Sequence, residues 1–205
     1  MNKKALMIFM TSIALLSVGC SSNEDINNTK EETTQSSEVE NKVKLSEEEM
    51  YNLHKETMPQ ILEIFKNEGI DYVLDRSEKN IKYDEDTSAG FSDSSNREPG
   101  TYKIATYELK FTDDLDIICI GMDLYQNIDE EDILANGYRF EDTAFYKMIQ
   151  VVAKDKLDYN KVNEDILSEY KSGNYGFKAY TFDNVNITIS MDYTDISCTI
   201  NIDNE

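Results

Sequence analysis

Val185-Asn186-Ile187-Thr188-Ile189-Ser190-Met191 and Ile196-Ser197-Cys198-Thr199-Ile200-Asn201-Ile202 decide the fold. In each run an apolar residue alternates with a small polar one. A period of two is the side-chain period of a β-strand with one buried and one wet face. The short polar interruption between the runs implies antiparallel pairing. Just upstream, Phe182-Asp183-Asn184-Val185 fits a two-residue hairpin turn, because Asp and Asn tolerate positive φ.

The same alternation occurs earlier. Ala105, Tyr107, Leu109 and Phe111 alternate with Thr106, Glu108 and Lys110, a strand with one wet face. Thr112-Asp113-Asp114 turns it into Leu115–Leu124, which is apolar on both faces across Ile117 to Met122 and so reads as a central strand. Asp71–Leu74 and Asn80–Tyr83 have the composition of short strands. Asp84–Gly100, rich in Asp, Ser, Gly and Asn, reads as a long surface loop.

Helical spacing separates these strands. Ser46-Glu47-Glu48-Glu49 is a capping box, with Leu45 and Met50 at the positions of a hydrophobic staple. Met50, Leu53, Thr57, Ile61, Leu62 and Phe65 then recur on one helix face, which ends at Gly69. Pro59 either kinks this helix or lets Thr57 cap a second one. After a loop of Asn127–Gly137, Ala144, Phe145, Met148, Ile149 and Val152 mark a second helix. Val162, Ile166 and Tyr170 mark a third, closed by Gly173.

Helix, strands, two helices, strands is the order expected of an α+β fold: a mostly antiparallel sheet with three or so helices packed on one face. Residues 45–205 form one such domain, long enough at about 160 residues to bury a proper core. Phe111–Cys119 echoes Phe182–Ile189, as a weak internal duplication would; convergent hairpin chemistry explains the same letters more simply.

The first twenty residues have a different logic. Lys3 and Lys4 precede an apolar run, Ala5 to Leu16, that closes on Leu16-Ser17-Val18-Gly19-Cys20. This charged start, apolar core and small residue before a cut have the layout of an export signal over residues 1–19. A membrane-spanning helix would need about 20 apolar residues, more than this run offers. The closing residues resemble the lipobox of bacterial lipoproteins, with Ser17 standing where Leu is commonest. The resemblance implies cleavage before Cys20 and diacylglycerol on its thiol, holding the chain on the outer face of the cell membrane. Residues 20–44 hold almost nothing large and apolar, and so read as a disordered tether. Such a tether typically spans on the order of 25–30 Å.

The chain carries 41 acidic and 20 basic residues. This balance excludes nucleic acid as a partner, because phosphates are bound by Lys and Arg. The partners it would attract are cations, basic peptides or basic proteins.

Catalytic signatures are thin. The single histidine, His54, lies beside the apolar stripe of the first helix and reads as a flank or core residue. There is no nucleophile elbow, zinc-protease motif or glycine-rich phosphate loop. Asp84, Asp86 and Ser88 have the first spacings of a calcium loop, but Ala89 stands where the turn needs glycine and Ser95 where a bidentate Glu belongs. They are therefore rejected as a metal site. Asp129-Glu130-Glu131-Asp132 reads as the acidic first turn of a short helix capped by Asp129. An exported location permits a disulfide between Cys119 and Cys198, but both fall on apolar strand faces and are favoured as free buried thiols. No cofactor is implied, and no aromatic is singled out.

The expectation is a membrane-anchored, extracytoplasmic, non-enzymatic binding domain for a protein, peptide or cation. The alternatives are a cell-envelope enzyme that works with carboxylates alone and a structural subunit that pairs through a sheet edge.

Overall fold

The computed structural model describes residues 44–75, 86–114 and 116–204. Cys20, the signal, the tether up to residue 43, Asn80–Tyr83 and Asp84 lie outside the described residues.

Helix α1 (Glu47–Asn67) starts at the capping box. The Ser46 hydroxyl accepts the Glu49 N–H at 3.3 Å, and the Glu49 carboxylate accepts the Ser46 N–H at 2.7 Å. Three glutamates in its first turn suit the helix dipole. Pro59 lies inside one continuous helix, so no second helix starts at Thr57, which is buried against the core instead. The helix ends in a Schellman motif: Ile70 N–H reaches Phe65 O, Gly69 N–H reaches Lys66 O, and Gly69 takes φ 73°.

Among the described residues seven strands follow: β1 (Val73–Asp75), β2 (Ser88–Ser92), β3 (Tyr102–Phe111), β4 (Ile117–Asn127), β5 (Phe177–Phe182), β6 (Val185–Met191) and β7 (Asp195–Asp203). They form one sheet in the order β1-β2-β3-β4-β7-β6-β5, and every pair is antiparallel. β4 is the middle strand. Between β4 and β5 lie α2 (Glu130–Asn136), α3 (Ala144–Val152) and α4 (Tyr159–Ser172). The fold is α+β, with four α-helices among the described residues.

Register places the apolar residues in rows across one face. Ala89, Tyr107, Met122, Ile200 and Ile187 form one row; Ala105, Leu124, Cys198 and Ile189 form the next, and Leu109, Ile120 and Ile202 the third. All of these residues are buried. Polar links fasten helices to this inner face. His54 of α1 meets the Tyr107 hydroxyl, the first N–H of α3 donates to Tyr102 Oη at 2.8 Å, and Glu169 of α4 pairs with Lys178 at 2.6 Å. The opposite face carries Thr106, Asp123, Thr199, Thr188 and Ala179 in one row, and Glu108, Gly121, Asn201, Asn186 and Thr181 in another.

Two expectations need correction. Ser88–Ser92 is a strand, not part of a loop: its pairing with β3 and β1 outweighs the turn-forming letters of Ser-Ala-Gly-Phe-Ser. Cys119 does not lie on an apolar face. The ladder slips between Lys110 and Phe111, so Ile117 turns inward and Cys119, two residues later, turns outward beside Lys110 and Asn201.

Candidate functional site

At one end of the sheet three segments meet: the end of α4 with the segment after it, the β6–β7 turn and the start of α2. Helix α4 stops at Gly173, which adopts left-handed φ 67° and turns the chain back toward β5. That return carries Tyr175. Between β6 and β7, Asp192-Tyr193-Thr194 makes the turn, closed by the Asp192 N–H to Asp195 O bond at 2.9 Å. The Asp192 carboxylate accepts the Tyr193 N–H at 2.6 Å, which fixes the tip. Helix α2 begins at Asp129, whose carboxylate caps the Glu131 and Asp132 N–H groups as its sequence position requires.

These segments build a ladder of three tyrosines. Tyr170 is buried, and its hydroxyl donates to Asp192 O at 2.8 Å, tying the turn to α4. Tyr175 packs against it at 5.7 Å between ring centroids, and Tyr193 meets Tyr175 at 6.3 Å with the rings 79° apart. Edge-to-face packing of this kind is the favoured arrangement of aromatic quadrupoles. Exposure rises outward: Tyr175 is 39% and Tyr193 62% exposed. Phe177, 67% exposed, opens β5 at the same end of the sheet, in register with Ser190 and Ser197.

Carboxylates rim the ladder. The Tyr175 hydroxyl donates to Glu130 Oε1 at 2.8 Å, and this bond, with the nearby charges of Glu130 and Asp192, holds the phenol above its ordinary pKa. Burial raises Tyr170 further, helped by Asp195, Glu130 and Asp192. Both phenols are neutral at physiological pH, as an unperturbed tyrosine also is. An exposed aromatic face beside carboxylates attracts cations twice over, through the ring quadrupole and through charge.

The residues named from sequence fall elsewhere. His54 is 1% exposed, with Nδ1 3.0 Å from the Tyr107 hydroxyl and its ring stacked on Tyr51; it is part of the core. Cys119 and Cys198 are free. They point to opposite faces: Cys119 is level with Asp203, and Cys198 with Leu124. Five residues along β7 is about 17 Å, beyond the roughly 7 Å a disulfide can bridge. Burial, with Asp203 nearby, pushes the Cys119 thiol up to about 11, and burial raises Cys198 as well. Of the rejected calcium residues, Ser88 lies on β2 opposite Glu108. Among the described residues no group of three or more His, Cys, Asp or Glu side chains is arranged to hold a metal, and no helix is long and apolar enough to cross a membrane. An open groove of about 690 Å³ between the end of α1 and β1 is lined by Ile70, Tyr72 and Leu74, with Lys66 and Asp71 as its charged groups.

The tyrosine corner was not singled out from sequence. Its local signal is present, however: Tyr175 follows a helix-closing Gly173-Asn174, and Tyr193 occupies a tight turn where small polar residues are usual. Neither a family model, nor a curated protein, nor a solved structure matches the chain.

Proposed function

We propose that this chain is a lipid-anchored extracytoplasmic binding protein that captures a cationic partner at the tyrosine corner and performs no catalysis. The observation that carries this is the exposed pair Tyr175 and Tyr193 beside Glu130 and Asp192, on a chain with a formal charge of -21. Acidity alone would give diffuse attraction that disappears with salt. A ring seated beside a fixed carboxylate adds a short-range contact that salt screens less. The lipobox-like Leu16–Cys20 and the polar stretch after it would hold this corner near the membrane, where the partner is met.

The full chain, purified in detergent, is titrated calorimetrically with a lysine- and arginine-rich peptide at low and moderate salt. Binding at both salt levels is expected, weakened about 3- to 30-fold by Tyr193→Ala, the loss of one cation–π contact of about 0.7–2 kcal/mol. Tyr193 is exposed at a turn, so the variant should keep its stability within about 0.5 kcal/mol. No binding at low salt, or full loss at moderate salt, would sink this function. Mass spectrometry of membrane-extracted chain tests the anchor: the expected species begins at diacylglyceryl-Cys20, and an intact Met1 to Gly19 segment would overturn it.

A further inference from the structure

We propose that the partner is bound as an extended basic segment that adds to the sheet as an eighth strand along β5, with a lysine or arginine seated at Tyr193. This rests on the cationic partner proposed above and specifies how it is held.

β5 is the last strand of the sheet. The Met191 N–H donates to Gly176 O at 2.8 Å, and Gly176 is the residue before β5. Backbone bonding alternates along an antiparallel pair. Lys178, Tyr180 and Phe182 therefore turn their backbone groups to β6, and Phe177, Ala179 and Thr181 turn theirs to the open side. Among the described residues nothing pairs with that side.

Protected edges carry charges, proline, bulges or very short strands. β5 has neither proline nor bulge and is not among the very short strands. It is six residues, Phe-Lys-Ala-Tyr-Thr-Phe, in unbroken register with β6. Its one charged side chain, Lys178, is taken by Glu169 on the inner face. Tyr180, also inward, reaches Asp165. The side chains beside the open groups are Phe177, Ala179 and Thr181, all on the outer face, so an incoming backbone meets no lysine. The opposite edge strand, β1, is three residues long.

The edge and the tyrosine corner are continuous. Tyr175 lies two residues before Phe177 and its ring meets Tyr193, so a strand laid along β5 runs off its end at Tyr175, from which a long basic side chain can reach across to Tyr193, with Glu130 and Asp192 as countercharge. Main-chain bonds would give affinity and the corner would give selectivity for a cationic side chain, the division of labour of strand addition. The charge also selects the occupant. A second copy of this chain brings a formal -21 of its own, and the chain's own tether, with six acids against Lys30, Lys42 and Lys44, is also net negative. Both are repelled where a basic segment is drawn in.

The test is hydrogen exchange on the full chain, with and without the lysine- and arginine-rich peptide. The expected result is at least tenfold slower exchange at the amides of Phe177, Ala179 and Thr181 when peptide is bound. Methylating alternate backbone nitrogens of the peptide, which removes donors without removing charge, should weaken binding at least tenfold. Ala179→Pro should do the same from the protein side, since the N–H it deletes is one the fold leaves open; the methylated peptide serves if that variant misfolds. Binding that Tyr193→Ala weakens while the methylated peptide binds like its parent and the β5 amides stay unprotected would overturn strand addition and leave the cationic partner standing. Absence of any peptide binding would overturn both. Protection of the β5 amides without peptide, rising with protein concentration or lost when the tether is removed, would show the edge filled by a second copy or by the tether and would also overturn it.

Discussion

On β4 the side chains of Ile120, Met122 and Leu124 point under the helices, while Gly121, Asp123 and Tyr125, each one residue along, point away from them. The backbone is shared, and only side-chain parity separates the two faces. Inward rows run Tyr-Met-Ile-Ile, whose burial contributes about 1.5–3 kcal/mol per large apolar side chain. Outward rows run Thr-Asp-Thr-Thr, linked by bonds of the Thr199 and Thr106 hydroxyls to Asp123 at 2.6 and 3.3 Å. One face thus carries most of the stability, and the other is held by hydroxyl–carboxylate bonds. The exposed aromatics Phe177 and Tyr193 belong to the end of the sheet where neither constraint operates.

The sharpest way to break this contrast is to place a charge on each side. Met122→Asp buries an unpaired carboxylate at a site with no exposure and should cost more than about 4 kcal/mol, enough to abolish a cooperative urea transition. Asp123→Ala, the next residue, should cost only about 2 kcal/mol for its two hydroxyl bonds. Equal losses would mean that the outer face is also a core.

A gentler pair sits on β7. Ile200→Ala should lose about 2–5 kcal/mol, because its neighbours Met122 and Ile187 cannot close the cavity. Thr199→Ala should lose about 1 kcal/mol, since water can replace its bond to Asp123. Guanidinium denaturation of both variants gives the ratio directly.

That β6 and β7 would show this contrast was legible from Asn186 and Ile187 onward, because a period of two needs no tertiary information. The start of α1 was equally legible, since Ser46 and Glu49 close their bonds within one turn. What escaped depended on partners far along the chain. Ser-Ala-Gly-Phe-Ser becomes β2 only because Tyr107 and Ala105 lie opposite Ala89 and Phe91. Cys119 changes face because the β3–β4 ladder slips, an event that no single-strand pattern encodes. Tyr175 and Tyr193 form a ladder only when a helix end and a hairpin tip converge.

A third probe tests the polar links of the inner face. Tyr107→Phe removes only the hydroxyl that meets His54 and should cost about 1–2 kcal/mol, the loss of one buried hydrogen bond. The same phenols predict an alkaline limit. Burial pushes Tyr102 up to about 12 and raises Tyr107 also. A folded pKa above the free value near 10 means the stabilisation is complete below that pH and is lost as pH rises toward 12. Absorbance at the phenolate band should therefore lag behind that of free tyrosine and then rise together with unfolding.

The smallest effect is expected at Gly121, in the middle of the outer face. A Cβ built there would lie 2.8 Å from Cε and Nζ of Lys110, too close to stand unless something moves. What must move is the far end of a flexible side chain, not backbone, and Lys110 has solvent to move into on this face. Against that small displacement stands the gain from replacing a strand glycine, roughly 0.5–1 kcal/mol in reduced chain entropy. Gly121→Ala should therefore change stability by less than about 1 kcal/mol in either direction. A loss of several kcal/mol would mean that Lys110 is held where it lies, and that the outer face is as tightly determined at its centre as the inner face is at Met122.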